Sequence, residues 1–167
     1  PVTYRRLLPA LIADWRGQWK QGDLPFFIVQ LANWQARKAE PWDGKDCYLR
    51  EVQAQVAAQD PNSALVVSID CGIEKDVHYP NKKPVGERLA VAARALVYGE
   101  KNLEYSGPIF QSAIFDGGKA TVSFTHVGSG LMAKGDKVTG FLLCGADKKF
   151  VRADATVEGD TDRKSVV

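Results

Sequence analysis

The chain has 167 residues, 45% hydrophobic and 25% charged, the profile of an ordinary globular protein rather than a disordered or fibrous one. Its 22 basic and 20 acidic residues leave a formal charge of +2, which gives no ground for nucleic acid or an anionic membrane as a partner. No run approaches the roughly 18 apolar residues of a membrane span, and VTYRRLLPALIADW is too broken by charge for a signal peptide.

From Tyr4 to Lys20, the residues Leu7, Leu8, Leu11, Ile12, Trp15 and Trp19 recur at helical spacing, with Thr3 as an N-cap and Gly22 as a stop. Pro9 falls inside this amphipathic pattern and predicts a later start or a kink. LPFFIVQL, Leu24 to Leu31, is a continuous apolar run and reads as a strand buried on both faces, as in a parallel sheet covered by helices. NWQARKAEPWDGKD is a polar loop carrying Trp34 and Trp42, placed either to stack on a ring or to cover a core edge. Tyr48 to Gln59 is helical with Leu49, Val52 and Val56 on one face, and DPNS turns the chain into ALVVSID, a second buried strand over Ala64–Asp70. Past the next loop, Pro84 suits a first helical position; Leu89, Ala92, Ala93 and Leu96 form the apolar face and Gly99 the stop.

Helix–strand–helix–strand–helix is the pattern of an α/β layered domain. Ligands in such folds sit beyond the carboxyl ends of the strands, where Gln30, Asn33, Asp70 and the loop holding His78 all fall. After about Glu104 the pattern becomes short β-rich runs split by Gly-Gly and Gly-Ala-Asp turns. The expected domains are therefore an α/β part over residues 1–104 and an all-β, sandwich-like unit over 105–167, the latter truncated at its end. Two strands do not make a viable sheet, so further strands are expected ahead of Pro1. Cys47, Cys71 and Cys144 are far apart and lack C-x-x-C spacing, which predicts neither a zinc site nor a disulfide framework. Cys71 and Cys144 read as small buried residues, with one disulfide left open.

One of the chain's two histidines, His78, follows Asp76 in DVHYP, just past the second strand. Such a carboxylate fixes the imidazole tautomer through Nδ1–H and leaves Nε2 to take a proton from a serine. A loop histidine with no task is the bland alternative, and spacing alone does not separate the two. There is no G-x-S-x-G motif, no metal-ligand pattern and no phosphate loop. HVGSG, His126 to Gly130, is the nearest imitation, and a self-contained hydrolase using Ser129 and His126 conflicts with its place in a β-rich turn. The residues offer a base without a nucleophile.

In order along the chain stand YRRLLPALIADWR, LPFFIVQLANW, YLREVQAQV, VVSIDCG, DVHYPNKKPVGERLA and YSGPIF. Together these six blocks resemble the later half of sialate O-acetylesterases, carbohydrate esterases of the SGNH-hydrolase type. The resemblance spans nearly the whole chain. It implies the C-terminal part of an SGNH-like three-layer hydrolase domain and a serine esterase removing O-acetyl groups from sialic acid or related sugars. It also implies His78 as acid–base and Asp76 as its orienting acid, with no metal and no cofactor. The family's Gly-Gln-Ser-Asn nucleophile motif and its Trp-Tyr-Gln-Gly-Glu-Ser-Asn motif with an oxyanion-hole asparagine are absent, and are expected in an N-terminal part of the same protein. The chain alone is then expected to be inactive.

Its histidine loop usually reads Asp-x-His-Pro, whereas here Tyr79 precedes Pro80. Arg50 and Gln53, three apart on one helical face, together with Gln30 and Asn33, are the expected substrate contacts, against a reading in which Arg50 braces the histidine loop. Lys82 and Arg88 either attract a carboxylated sugar or form a solvated helix start. Family habit implies a secreted, periplasmic or lysosomal setting. The alternative function is a non-catalytic carbohydrate-binding or scaffolding module of a larger glycan-degrading protein, with the tryptophans facing the sugar.

Overall fold

Helix α1 (Val2–Trp19), strand β1 (Phe26–Val29), helix α2 (Lys45–Gln59), strand β2 (Ser63–Val66) and helix α3 (Lys83–Leu96) alternate as the hydrophobic pattern requires. Six strands follow: β3 (Ile109–Asp116), β4 (Lys119–Thr125), β5 (Leu142–Leu143), β6 (Val151–Arg152), β7 (Val157–Glu158) and β8 (Ser165–Val166). The computed structural model describes residues 2–36, 44–133, 135, 138–158 and 165–166, so Trp42 lies outside the described residues. These form two compact units, the first reaching Ser106 and the second beginning at Gly107. The architecture is mixed α/β with small sheets. No helix among the described residues is long and apolar enough to cross a membrane.

In the first unit α1 runs through Pro9 and takes in Thr3, which is therefore helical and not a cap. Only part of its apolar stripe is used. Ile12 is buried and Tyr4 and Leu8 pack beside it, against Ile28 of β1 and Val52, Val56 and Ala57 of α2. Leu7, Leu11, Trp15 and Trp19 stay exposed. Full burial of an aliphatic side chain of this size contributes about 1.5–3 kcal/mol, so Ile12, Ile28, Val52 and Val56 are the main attachment of α1 and α2 to the sheet. Arg16 closes the approach to β1. Its Nε and Nη2 donate to the Leu24 carbonyl at 2.9 and 2.8 Å, Nη2 also meets Asp60 at 2.8 Å, and the guanidinium lies over the Phe26 ring.

β1 and β2 pair in parallel, from Phe26 opposite Ser63 to Val29 opposite Val66, with α2 as the crossover that parallel strands need. The strands are shorter than the apolar runs. β1 is also less enclosed than expected: Ile28 is buried, Phe26 and Phe27 are half-buried and Val29 is exposed, because among the described residues it pairs with β2 alone. Helix α3 begins at Lys83, placing Pro84 one residue later than expected.

In the second unit β3 and β4 form an antiparallel hairpin from Ile109 opposite Thr125 to Asp116 opposite Lys119. Gly117 and Gly118 join them with φ of +54° and +81°, the paired left-handed conformation of the tight turn that matches strand twist. The larger sheet has the order β3-β4-β8-β7, and β5 pairs with β6 separately. Phe110, Ile114 and Phe115 of the edge strand β3 are exposed. HVGSG leaves β4 into a turn closed by Gly130 N–H donating to the Val127 carbonyl at 2.7 Å. All three cysteines are free. Cys71 is half-buried, but Cys144 is exposed: a residue next to an apolar run is buried only if the two-residue strand β5 has cover on that side.

Candidate active site

Parallel pairing sends the carboxyl ends of β1 and β2 out on the same side. Gln30 N–H to the Val66 carbonyl, 2.9 Å, is the last rung. The hydroxyl of the buried Ser68 donates to the Gln30 carbonyl. One residue on, the backbone is captured by helix α2 instead. Leu31 N–H donates to Gln53 Oε1 at 2.9 Å, and Gln53 Nε2 reaches the Val29 carbonyl at 3.4 Å. Arg50 Nε and Nη2 donate to the carbonyls of Leu31 and Ala32 at 2.8 and 3.1 Å. The shared helical face of Arg50 and Gln53 is thus turned on the exit of β1, and the bracing by Arg50 falls there rather than on the histidine loop. The Gln30 Oε1 atom is buried without a hydrogen-bond partner among the described residues.

The exit of β1 is stitched to the loop after β2. Gly72 N–H donates to Asn33 Oδ1 at 2.9 Å and Gln35 N–H to the Glu74 carbonyl at 2.9 Å. From α3, Arg88 grips the start of that loop. Its Nη1 and Nη2 donate to the two Asp70 oxygens at 2.7 and 2.6 Å, and Nη1 also to the Val67 carbonyl at 2.8 Å. This fork–fork geometry is the strong form of the ion pair. The Arg88 hydrogen bonds hold the Asp70 carboxyl at about 2 against the opposing effect of burial. Burial, then the neighbouring Asp70 charge, pushes the Cys71 thiol up. Arg88 is accordingly neither a free cation for a sugar nor a solvated helix start. Lys82 donates to the Tyr79 carbonyl, and its ammonium lies 4.0 Å from the centre of the Tyr79 ring.

Further along the same loop Asp76 and His78 come together. Asp76 Oδ1 accepts from the His78 backbone N–H at 2.7 Å and lies 3.5 Å from Nδ1 of the ring. The first contact is an aspartate holding its own turn two residues on. The second is longer than a good hydrogen bond. The side chains are 89% exposed for His78 and 52% for Asp76, so Nε2, on the ring edge away from the carboxylate, is open to a reacting group. The next residue, Tyr79, is only 6% exposed. Its ring packs with Ala32, Val66 and Val85.

Of the expected site residues, Asp76 is therefore beside His78, Asn33 holds the same loop at Gly72, and Gln30, Arg50 and Gln53 meet around the exit of β1. Trp34 is exposed and donates from Nε1 to Asp46 at 3.3 Å. Sequence reasoning missed Tyr79 as a core residue, the Asp70–Arg88 pair and Ser68. Their one visible signal is position, at the ends of β2 and the start of α3.

No family model matches the chain. It is 29% identical to the sialate O-acetylesterases of Homo sapiens and Pongo abelii, over 87% of its own length and 31% of theirs. The sialate O-acetylesterase of Mus musculus is also 29% identical, over 64% of the chain and 22% of that protein. A crystal structure of a carbohydrate acetylesterase from Xanthomonas citri matches at a TM-score of 0.87 and 42% identity, over 99% of this chain and 38% of that one. The chain thus spans about a third of the length of the Homo sapiens and Pongo abelii relatives. Matched along nearly its whole length in both sequence and fold, it is similar to sialate O-acetylesterases and to a carbohydrate acetylesterase.

Proposed function

We propose that this chain is part of a serine carbohydrate esterase that removes O-acetyl groups from sialic acid or related acetylated sugars, and that it carries the His78–Asp76 half of the catalytic site. The observation behind this reading is the pairing of Asp76 Oδ1 with the Nδ1 side of an exposed His78, on a loop at the carboxyl end of a parallel strand. The relatives, all longer, support it by being acetylesterases. The nucleophilic serine and the oxyanion donors come from the rest of the protein, which completes an SGNH-like three-layer domain, while the second unit is sandwich-like. The setting is secreted, periplasmic or lysosomal.

In the reaction, His78 Nε2 accepts the serine proton as the serine oxygen attacks the acetyl carbonyl. The imidazolium, steadied by Asp76, then returns the proton to the departing sugar oxygen, and water releases acetate by the same relay. Gln30 and Asn33, at the β1 exit, are the substrate contacts of this reading. Arg50 and Gln53 serve it by holding the β1 exit in place. In the intact protein, His78→Ala should lower kcat by about 10⁴-fold or more, the scale of triad losses. The 167-residue chain alone should not hydrolyse an activated acetate ester. Near-wild-type turnover by the variant, or His78-dependent hydrolysis by the chain alone, contradicts the assignment; sugar binding with no esterase activity anywhere in the intact protein favours a binding module.

A further inference from the structure

A ring 89% exposed has little packing to hold it, so the placement of His78 depends on the backbone that carries it. Within the loop, the contacts of Asp70 and Gly72 secure the strand side. Immediately after His78 the chain plunges inward. Tyr79 packs among Ala32 from the β1 exit, Val66 of β2 and Val85 of α3, with Phe27, Cys71 and Leu89 at the margin. One cluster around this ring therefore joins the β1 exit, β2 and α3. Lys82 adds a lid to it, with its ammonium over the ring face and a hydrogen bond to the Tyr79 carbonyl.

We propose that Tyr79 is the positioning residue for His78, its buried ring fixing the adjacent backbone so that the imidazole meets the serine in register. The inference rests on the esterase reading above. Displacing a catalytic group by an ångström costs about 10²-fold in rate. The intact esterase carrying Tyr79→Phe, Tyr79→Leu or Tyr79→Ala, with His78→Ala alongside, is assayed on p-nitrophenyl acetate, and thermal unfolding of each variant is recorded.

The ring-preserving Phe variant should keep kcat within about twofold, while Leu and Ala lower it by about 10–100-fold with KM little changed, the signature of a lost transition-state interaction. Leu retains apolar burial, so it reports on placement even where Ala fails to fold. A Leu variant with a lowered melting temperature but parental kcat overturns the proposal, leaving Tyr79 a purely structural residue; so does a Phe variant as impaired as Leu. An active His78→Ala variant overturns both readings. An inactive His78→Ala beside a parental Tyr79→Leu overturns this one alone.

Discussion

Gly72→Ala tests whether the loop after β2 is seated as tightly as its geometry requires. A Cβ at this position would stand 1.6 Å from the Asn33 carbonyl oxygen, 2.6 Å from Asn33 Oδ1 and 2.7 Å from the Asn33 carbonyl carbon. Two of these three atoms are backbone, so no rotamer change relieves the clash. The strand-exit segments would have to part by well over an ångström, breaking the 2.9 Å bond from Gly72 N–H to Asn33. Overpacking of about 1–3 kcal/mol and loss of a hydrogen bond of about 0.5–1.5 kcal/mol combine to about 1.5–4.5 kcal/mol.

The same substitution at Gly86, an exposed position in α3 where an added Cβ meets nothing within 4 Å, is the control. It should stabilise by about 0.5–1 kcal/mol through helix propensity. Urea unfolding followed by tryptophan fluorescence gives both values, provided the slope of stability with urea is unchanged. If Gly72→Ala costs less than about 0.5 kcal/mol, the ordinary range for a surface position, the close seating of the two loops is wrong.

Two further outcomes follow from the hydrogen bonds at the strand ends. The Asp70 carboxyl titrates near 2 when folded, below its ordinary 3.8, so its stabilisation is complete above about pH 4 and disappears as pH falls through 2. Asp70→Asn should therefore cost about 1 kcal/mol or less at neutral pH, given how exposed the pair is, and the gap from the parent should close across that window. Urea midpoints in a pH series measure this, and a gap constant down to pH 2 refutes it. Gln53→Ala strands the Leu31 N–H and should cost about 1–3 kcal/mol, with faster hydrogen exchange at Leu31; unchanged exchange there would contradict the capture of β1 by α2.

The order of helices and strands was legible because alternating helical and continuous apolar patterns depend on each segment's own residues. The same holds for the Gly117–Gly118 turn, where two glycines supply the left-handed conformations that a tight hairpin needs. Strand lengths were not legible, because β1 ends where Gln53 and Arg50, far along the chain, take its backbone groups. The location of the His78 loop beyond β2 could be read from the apolar run before it. Tyr79 could not be read as core, since a loop has no periodicity to mark which residue turns inward. Arg88 looked like a solvated charge for the same reason: its partner, Asp70, belongs to another element.

The capture of the β1 exit by α2 has a mechanical consequence. The two strands stop pairing after the Gln30–Val66 rung because a helix, not a third strand, holds the next peptide. The parallel ribbon is unzipped at its end like a forked seam, one tongue drawn to α2 and the other to α3. An insertion between Arg50 and Gln53 would turn one of them about 100° away and release the tongue, even with every core residue retained. Helix phase at these two positions, more than sheet composition, sets how wide the fork stands open.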